Sequence, residues 1–224
     1  MSSNSWNARE MIFRSLWFPE EVAHRLELDE ELVTHSIGAV LEAGNVPCSI
    51  GNNSDSLAVD GATMLLAIGS RQSSSESTVR VARRLATMAL QCEIGGQSEL
   101  AGRADLFPQR DSIGFGSDLY AVFQNLWRAA RGTTTNGFKG VSVSMLWNDD
   151  GSILFGAIEQ NQRRRIYASE ALQIPAGGWD YVQLPAVGGT KFSPLAILRF
   201  GALLDAVVAD TTATLNGPEA LRVK

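Results

Sequence analysis

The clusters of arginine are the feature of this sequence that most directly suggests a binding site. It outnumbers lysine 16 to 3 in a chain whose formal net charge is -5. The guanidinium group is planar, permanently charged and suited to bidentate pairing with phosphate or carboxylate. The clusters therefore predict a contact with an anion or a nucleic acid. The arginines assigned to it are Arg80, Arg83 and Arg84, then Arg128 and Arg131, and the consecutive Arg163, Arg164 and Arg165.

Two uses of these arginines remain open from the sequence. If the clusters converge on one surface, they would make salt-sensitive phosphate contacts that ignore base sequence; Tyr167 is the aromatic residue beside the triplet for base stacking. Alternatively, the arginines pair with an acidic N-terminal segment, within the chain or in a neighbouring copy. That segment contains Glu20, Glu21, Glu27, Asp29, Glu30 and Glu31.

Histidine and cysteine give no metal or catalytic signature. His24 and His35 are eleven residues apart, about 16 Å along a continuous helix, so they cannot share a metal ion there. Cys48 and Cys92 form no CxxC pair and are expected to be reduced, buried thiols. We assign no catalytic residue, no metal site and no cofactor.

Phosphate-loop motifs are equally weak. The stretch "IGFGSDL" places Gly114 and Gly116 before a predicted helix, where backbone amides bind phosphate. Leu119 replaces the third glycine of the dinucleotide fingerprint, and Asp118 puts a negative charge where the phosphate would lie. No Walker motif or G-x-S-x-G elbow occurs, and turn chemistry explains the Asp149-Asp150 pair. An enzyme is therefore the less favoured class.

Hydrophobic periodicity predicts helices at the N-terminus, in the middle and at the C-terminus. Residues 19–44 fit one helical segment, "PEEVAHRLELDEELVTHSIGAVLEAG". Helices are also predicted for "STVRVARRLATMALQC", capped by Ser75 or Ser77, and for "SDLYAVFQNLWRAARG", capped by Ser117. The last helix, with Ser193 as N-cap and Pro194 at its first position, is apolar nearly all the way round. It is expected to be central in the fold or to pack between subunits.

Two β-hairpins are predicted. The first runs from Leu57 to Ile68 around an Asp60-Gly61 type I′ turn. The second is "GVSVSMLWNDDGSILFGAIEQ", in which apolar and polar residues alternate on both sides of an N-D-D-G turn. If "RRIYAS" is the next strand of a meander, Arg163 and Arg165 project to one face and Arg164 to the other. The segment "EIGGQSELAGRADLFPQRDSIGFGS" is expected to be a long binding or subunit-contact loop.

These elements predict an α+β fold in a single domain, 1–224, with antiparallel hairpins and a meander packed with four or five helices. Within it, residues 1–45 form a helical N-terminal segment, 46–192 mixed hairpins and helices, and 193–215 the C-terminal apolar helix. The order of elements lacks the βαβ alternation of a doubly wound enzyme.

The leading functional hypothesis is a structural, self-assembling subunit, such as the coat or shell protein of a virus-like particle or filament. A homo-oligomer with possible nucleic-acid contact through the arginine clusters is expected, with no membrane partner. The alternative is a small soluble enzyme or ligand-binding module that recognises an anionic ligand, with its pocket between the Gly96 to Ser117 loop and the Gly177-Gly178-Trp179 loop. No signal peptide or transmembrane segment is expected, which predicts a cytoplasmic or virion-like location.

Overall fold

The computed structural model describes residues 8–44, 54–95, 106–108, 111, 114–131, 140–147, 154–161, 163–169 and 188–216. Over these residues the chain is α+β, as predicted, with seven helices rather than four or five and one antiparallel sheet of five strands. The helices are α1 (Ala8–Arg14), α2 (Trp17–Leu26), α3 (Glu30–Glu42), α4 (Ser54–Ser70), α5 (Ser75–Ala86), α6 (Phe115–Arg131) and α7 (Pro194–Asn216). The strands are β1 (Ala89–Ile94), β2 (Ser142–Trp147), β3 (Leu154–Gln160), β4 (Arg163–Ala168) and β5 (Gly188–Phe192).

The sheet has the strand order β1-β4-β3-β2-β5. Val143 lies opposite Ile158 across β2 and β3, and Ala157 lies opposite Ile166 across β3 and β4. The predicted second hairpin and the third strand of the meander are therefore confirmed, while the N-D-D-G turn lies outside the described residues. This part of the prediction succeeded because alternation with a period of two is a local signal.

One face of the sheet carries the main hydrophobic core, and the helices pack on that face. Its sheet residues include Val143, Met145 and Ile158, which join apolar side chains from the helices. The opposite face carries a small cluster formed by Phe155, Ile166 and Ala168. A polar side chain that is buried between the sheet and the helices therefore needs a hydrogen-bond or ion-pair partner in the interior.

The predicted hairpin from Leu57 to Ile68 is wrong, because this segment lies within α4. Apolar residues occupy so many of its positions that periods of 2 and 3.6 both fit. Asp60 is buried and forms an ion pair with Arg9 of α1 at 2.8 Å, and a Cβ on Gly61 would lie 2.6 Å from Cδ1 of Leu204 in α7. The Asp-Gly pair thus serves helix packing rather than a turn.

The predicted helix through Cys92 is also wrong beyond Ala86, where α5 ends. The chain instead enters β1, in which Leu90 lies opposite Tyr167 of β4. The N-cap of α5 is Ser74, whose Oγ accepts a hydrogen bond from the Ser77 amide, so neither predicted cap is correct. Pairing with a distant strand overrides local helix propensity here.

Two other predicted helix boundaries shift. The helix predicted for residues 19–44 breaks at Glu27, which adopts a left-handed conformation with φ of 57°, and Asp29 then caps α3 by accepting from the Leu32 amide at 2.9 Å. The predicted cap Ser117 lies inside α6, which begins at Phe115. The break between α2 and α3 is stabilised by the side chain of Asp29, which caps the second of these helices.

The C-terminal helix begins as predicted. The Ala196 amide donates to Oγ of Ser193 at 3.1 Å, and Pro194 is the first helical residue. Ile197, Phe200 and Leu204 are buried against other helices of the same chain, whereas Leu195 is 52% exposed, so one side of α7 packs in the core up to residue 207. None of the helices in the described ranges is long and apolar enough to cross a bilayer.

Two helix glycines make a matched test of this packing. Gly38 of α3 has no atom within 4 Å of an added Cβ, whereas Gly61 would clash with Leu204. We expect Gly38→Ala to raise the free energy of unfolding by about 0.5–1 kcal/mol through its helix propensity. Gly61→Ala gains the same propensity but overpacks the contact with Leu204 at a cost of about 1–3 kcal/mol, so we expect it to lower the free energy of unfolding by up to about 2 kcal/mol. Urea denaturation measures both. Equal effects of the two substitutions would contradict the assignment of Gly61 to a helix contact.

The buried Asp60 predicts a pH dependence of stability. Burial raises the pKa of Asp60 from 3.8 to about 7, although the charge of Arg9 opposes this. Because the folded-state pKa is raised, the stabilisation from protonated Asp60 is complete below pH 3.8 and is lost as pH rises through about 7.

Asp60→Asn removes this titration. The unfolding free energy of the wild type minus that of Asp60→Asn should therefore fall between pH 4 and 7, by up to about 1.4 kcal/mol per pH unit. Denaturation across this range measures the difference. The control Glu10→Gln alters a partly exposed pair with Arg14 and should keep the wild-type profile. A difference between wild type and Asp60→Asn that does not change with pH would refute the prediction.

Candidate functional site

The arginine triplet lies in β4, and its side chains alternate between the faces of the sheet as predicted. Arg163 and Arg165 project to the helix-covered face and are only 7% and 5% exposed, whereas Arg164 lies on the opposite face. Two of the three charges are therefore inside the protein. A buried guanidinium needs acidic partners, since an unpaired charge in the interior is costly.

Arg165 has two such partners. Its Nε donates to Oε2 of Glu93 in β1 at 2.7 Å, and its Nη1 donates to Oδ2 of Asp118 in α6 at 2.9 Å. Asp118 is fully buried and also accepts a hydrogen bond from the Tyr167 hydroxyl. Burial alone would lower the pKa of Arg165, but the hydrogen bonds and charges of Glu93 and Asp118 raise it above its ordinary value. Arg165 is thus held in its charged form.

An aromatic ring completes this buried cluster. The guanidinium carbon of Arg163 lies 4.2 Å from the ring centre of Phe107, and that of Arg165 lies 5.5 Å from it. Asn125 of α6 donates to the carbonyl oxygens of Leu106 and Phe107, at 3.5 and 3.3 Å, and so attaches residues 106–107 to α6. The cluster joins β1, β4, α6 and the 106–108 segment through charge and cation-π contacts.

The carboxylates found around the triplet differ from those expected. Arg163 approaches Glu93 at 3.6 Å, and Arg164 pairs with Glu159 of β3 at 2.7 Å on the other face. With Asp118, these acids come from β1, β3 and α6, so within the chain the ion pairs of the triplet are made with acids outside the acidic N-terminal segment. Sequence reasoning missed Glu93 because β1 was not predicted, and it treated Asp118 as a helix-end charge.

A second arginine cluster is exposed. Arg80, Arg83 and Arg84 of α5 lie on one side of the helix, as predicted, and line an open groove of about 700 Å³ between α5 and the C-terminal end of α3. We call this the arginine groove. Its other lining residues are Ala39, Glu42, Ala43, Ser75, Glu76 and Val79.

A smaller cavity adjoins the arginine groove. It has a volume of about 170 Å³ and shares Val79 and Arg83 with the groove. The remaining lining residues are Val40, Thr63, Leu66, Ala82 and Ala86, from α3, α4 and α5. The site thus combines an apolar recess with three cationic side chains.

The predicted arginines therefore occupy different environments rather than one surface. Arg128 is exposed near the end of α6 and lines neither cavity; Arg131 ends that helix, and its side chain lies outside the described residues. The structure brings together the α5 arginines in an exposed groove and Arg163 with Arg165 in the interior. The positive side chains that line the arginine groove all belong to α5.

The other candidate residues form no comparable site. Gly116 packs closely against Ala86 at the end of α5, where an added Cβ would lie 3.0 Å from Cβ of Ala86, so this glycine serves packing. His24 is exposed, His35 is half-buried, and Cys92 is half-buried and forms no disulfide among the described residues. Among the described residues, no three His, Cys, Asp or Glu side chains lie close enough to hold a metal ion.

The remaining sequence-level sites fall largely outside the described residues. These are Cys48, the Asp149-Asp150 pair, the Gly177-Gly178-Trp179 loop and most of the Gly96 to Ser117 loop. No protein-family model, curated protein or solved structure matches the chain.

The buried cluster predicts a large cost for removing its central acid. Asp118→Asn leaves the Arg165 charge with one fewer acidic partner inside the protein, so we expect a loss of about 3–5 kcal/mol of unfolding free energy. The control Glu159→Gln breaks the pair with Arg164 on the more exposed face and should cost about 1 kcal/mol or less. Guanidinium denaturation compares the two; a larger cost for Glu159→Gln would contradict the central role of Asp118.

Proposed function

We propose that this chain is a structural subunit that assembles with copies of itself, as coat, shell and filament proteins do. The observation that carries the proposal is a separation of opposite charges along one rigid helix. Acidic side chains surround the N-terminal end of α3, and the arginine groove lies at its C-terminal end.

The acidic end is formed by α2, the first turn of α3 and the tight connection between them, residues 20–31, which we call the acidic corner. It contains six carboxylates and one arginine, so its net formal charge equals the -5 of the whole chain. Glu27, at the tip, has a side chain that is 82% exposed. The remaining exposed acids are Glu20, Asp29, Glu30 and Glu31.

The length of α3 keeps the two charged regions apart. Its 13 residues span about 20 Å, whereas charges in physiological salt are largely screened beyond about 8 Å. Within one molecule the acidic corner and the arginine groove therefore neutralise each other little. Copies arranged head to tail would bring them together, and such heterologous contacts close into rings or continue as filaments.

Exposed apolar side chains also support association. Met11, Leu16 and Trp17 lie within seven residues of one another in α1 and at the start of α2, and all three are exposed, Leu16 by 84%. Exposed apolar groups near polar ones are typical of protein interaction surfaces. These side chains come just before the acidic corner in sequence, and their burial in a contact between copies would add to the attraction between charges.

A second candidate function is the binding of a small anionic ligand. It is favoured by the apolar cavity of about 170 Å³ beside the arginine groove, a combination that suits an amphiphile with a short apolar part and an anionic head. Under this alternative the protein would be a small discrete species, stabilised thermally by the ligand.

Size-exclusion chromatography with light scattering distinguishes the two functions. A self-assembling subunit should elute as species larger than a dimer at about 50 mM NaCl and dissociate toward monomer at about 500 mM NaCl, because exposed ion pairs are screened by salt. Absorbance at 260 and 280 nm across the peak reports bound nucleic acid. A monomer or dimer at every protein concentration and salt level would contradict the proposal.

A further inference from the structure

We infer that the arginine groove is the docking site for the acidic corner of a second copy of this chain. The inference rests on the proposed function and names the contact through which assembly occurs. The groove is lined by three arginines, and the acidic corner presents exposed carboxylates of the opposite charge.

The groove has the features of a receptor for a short protruding segment. Ala39, Ala43 and Val79 contribute small and apolar side chains to its lining, which also includes the three α5 arginines. Glu42 and Glu76 are also in the lining, but the arginines outnumber them. The groove therefore has a net positive formal charge. Its two glutamates would repel some anionic partners and so make the groove selective among them.

The acidic corner has the exposed charge to complement this groove. The left-handed conformation of Glu27 ends α2, and Asp29 then caps α3. Four exposed carboxylates therefore lie within the five consecutive residues 27–31. Carboxylates accept paired hydrogen bonds from guanidinium groups, which gives such a contact direction as well as attraction.

A second copy fits the groove better than a nucleic acid does. Glu42 and Glu76 would repel a polyphosphate chain, whereas the acidic corner contains one cation, Arg25, paired with Glu21 at 2.7 Å, and has Arg199 of α7 beside it, 3.8 Å from Glu27. The arginine groove is thus mainly positive with two acids, and the acidic corner is mainly negative with one arginine inside it and one beside it. Such complementarity favours one partner and suppresses others.

Charge reversal tests the contact. The groove variant carries Arg80→Glu, Arg83→Glu and Arg84→Glu, and the corner variant carries Glu27→Lys, Glu30→Lys and Glu31→Lys. Asp29 is left in place because it caps α3. All six side chains are exposed, so both variants are expected to fold, and far-ultraviolet circular dichroism checks this.

Each variant alone should self-associate about 10- to 100-fold more weakly than the wild type, since like charges then meet in the contact. An equimolar mixture of the two should assemble again, because the acidic groove of one variant accepts the basic corner of the other, and the unchanged surfaces also match. A misfolded variant could not give this rescue. The control Arg128→Glu changes an exposed arginine outside the groove and should assemble like the wild type.

The outcomes separate this inference from the proposed function. A wild type that never assembles refutes the function and, with it, the contact. A wild type that assembles while either variant assembles equally well refutes the contact alone, as does a mixture of the weakened variants that shows no rescue. Assembly that disappears on nuclease treatment would place nucleic acid in the groove and overturn the second copy as its occupant.

Discussion

The carboxylate of Asp118 is the group on which the arrangement of helix and sheet depends. It is fully buried, and it is held between the guanidinium of Arg165 and the hydroxyl of Tyr167. A charge in the interior is tolerated only when its partners are in place. The pair between Arg165 and Asp118 therefore fixes the position of β4 relative to α6. Glu93 of β1 pairs with the same arginine and so links β1 to this contact.

The same physical requirement appears between helices. Arg9 and Asp60 form a buried ion pair that attaches α1 to α4, and Gly61 beside it allows α7 to approach. Arginine thus works inside this protein as a structural residue, which suits its capacity for several directed hydrogen bonds. The arginines of α5 differ because their side chains are exposed at the surface.

Helix α3 links the internal architecture to the proposed association. Its buried side chains fix it in the core, so the acidic corner at one end and the arginine groove at the other keep a constant separation. Rigid separation of opposite charges prevents neutralisation within a molecule and favours it between molecules. The proposed contact surfaces would therefore be positioned by the packing of α3 in the core.

The sequence alone determined the elements whose signals are local. Alternation in β2, β3 and β4 predicted the meander and the opposite faces of Arg164 and its neighbours, and the Ser193-Pro194 pair predicted the start of α7. Tertiary structure alone decided that residues 57–68 are helical and that β1 exists. Tertiary structure also decided which acids, Glu93, Asp118 and Glu159, pair with the arginine triplet. Asp60-Gly61 satisfies both a turn and a helix locally, and only contacts with Arg9 and Leu204, distant in sequence, choose between them.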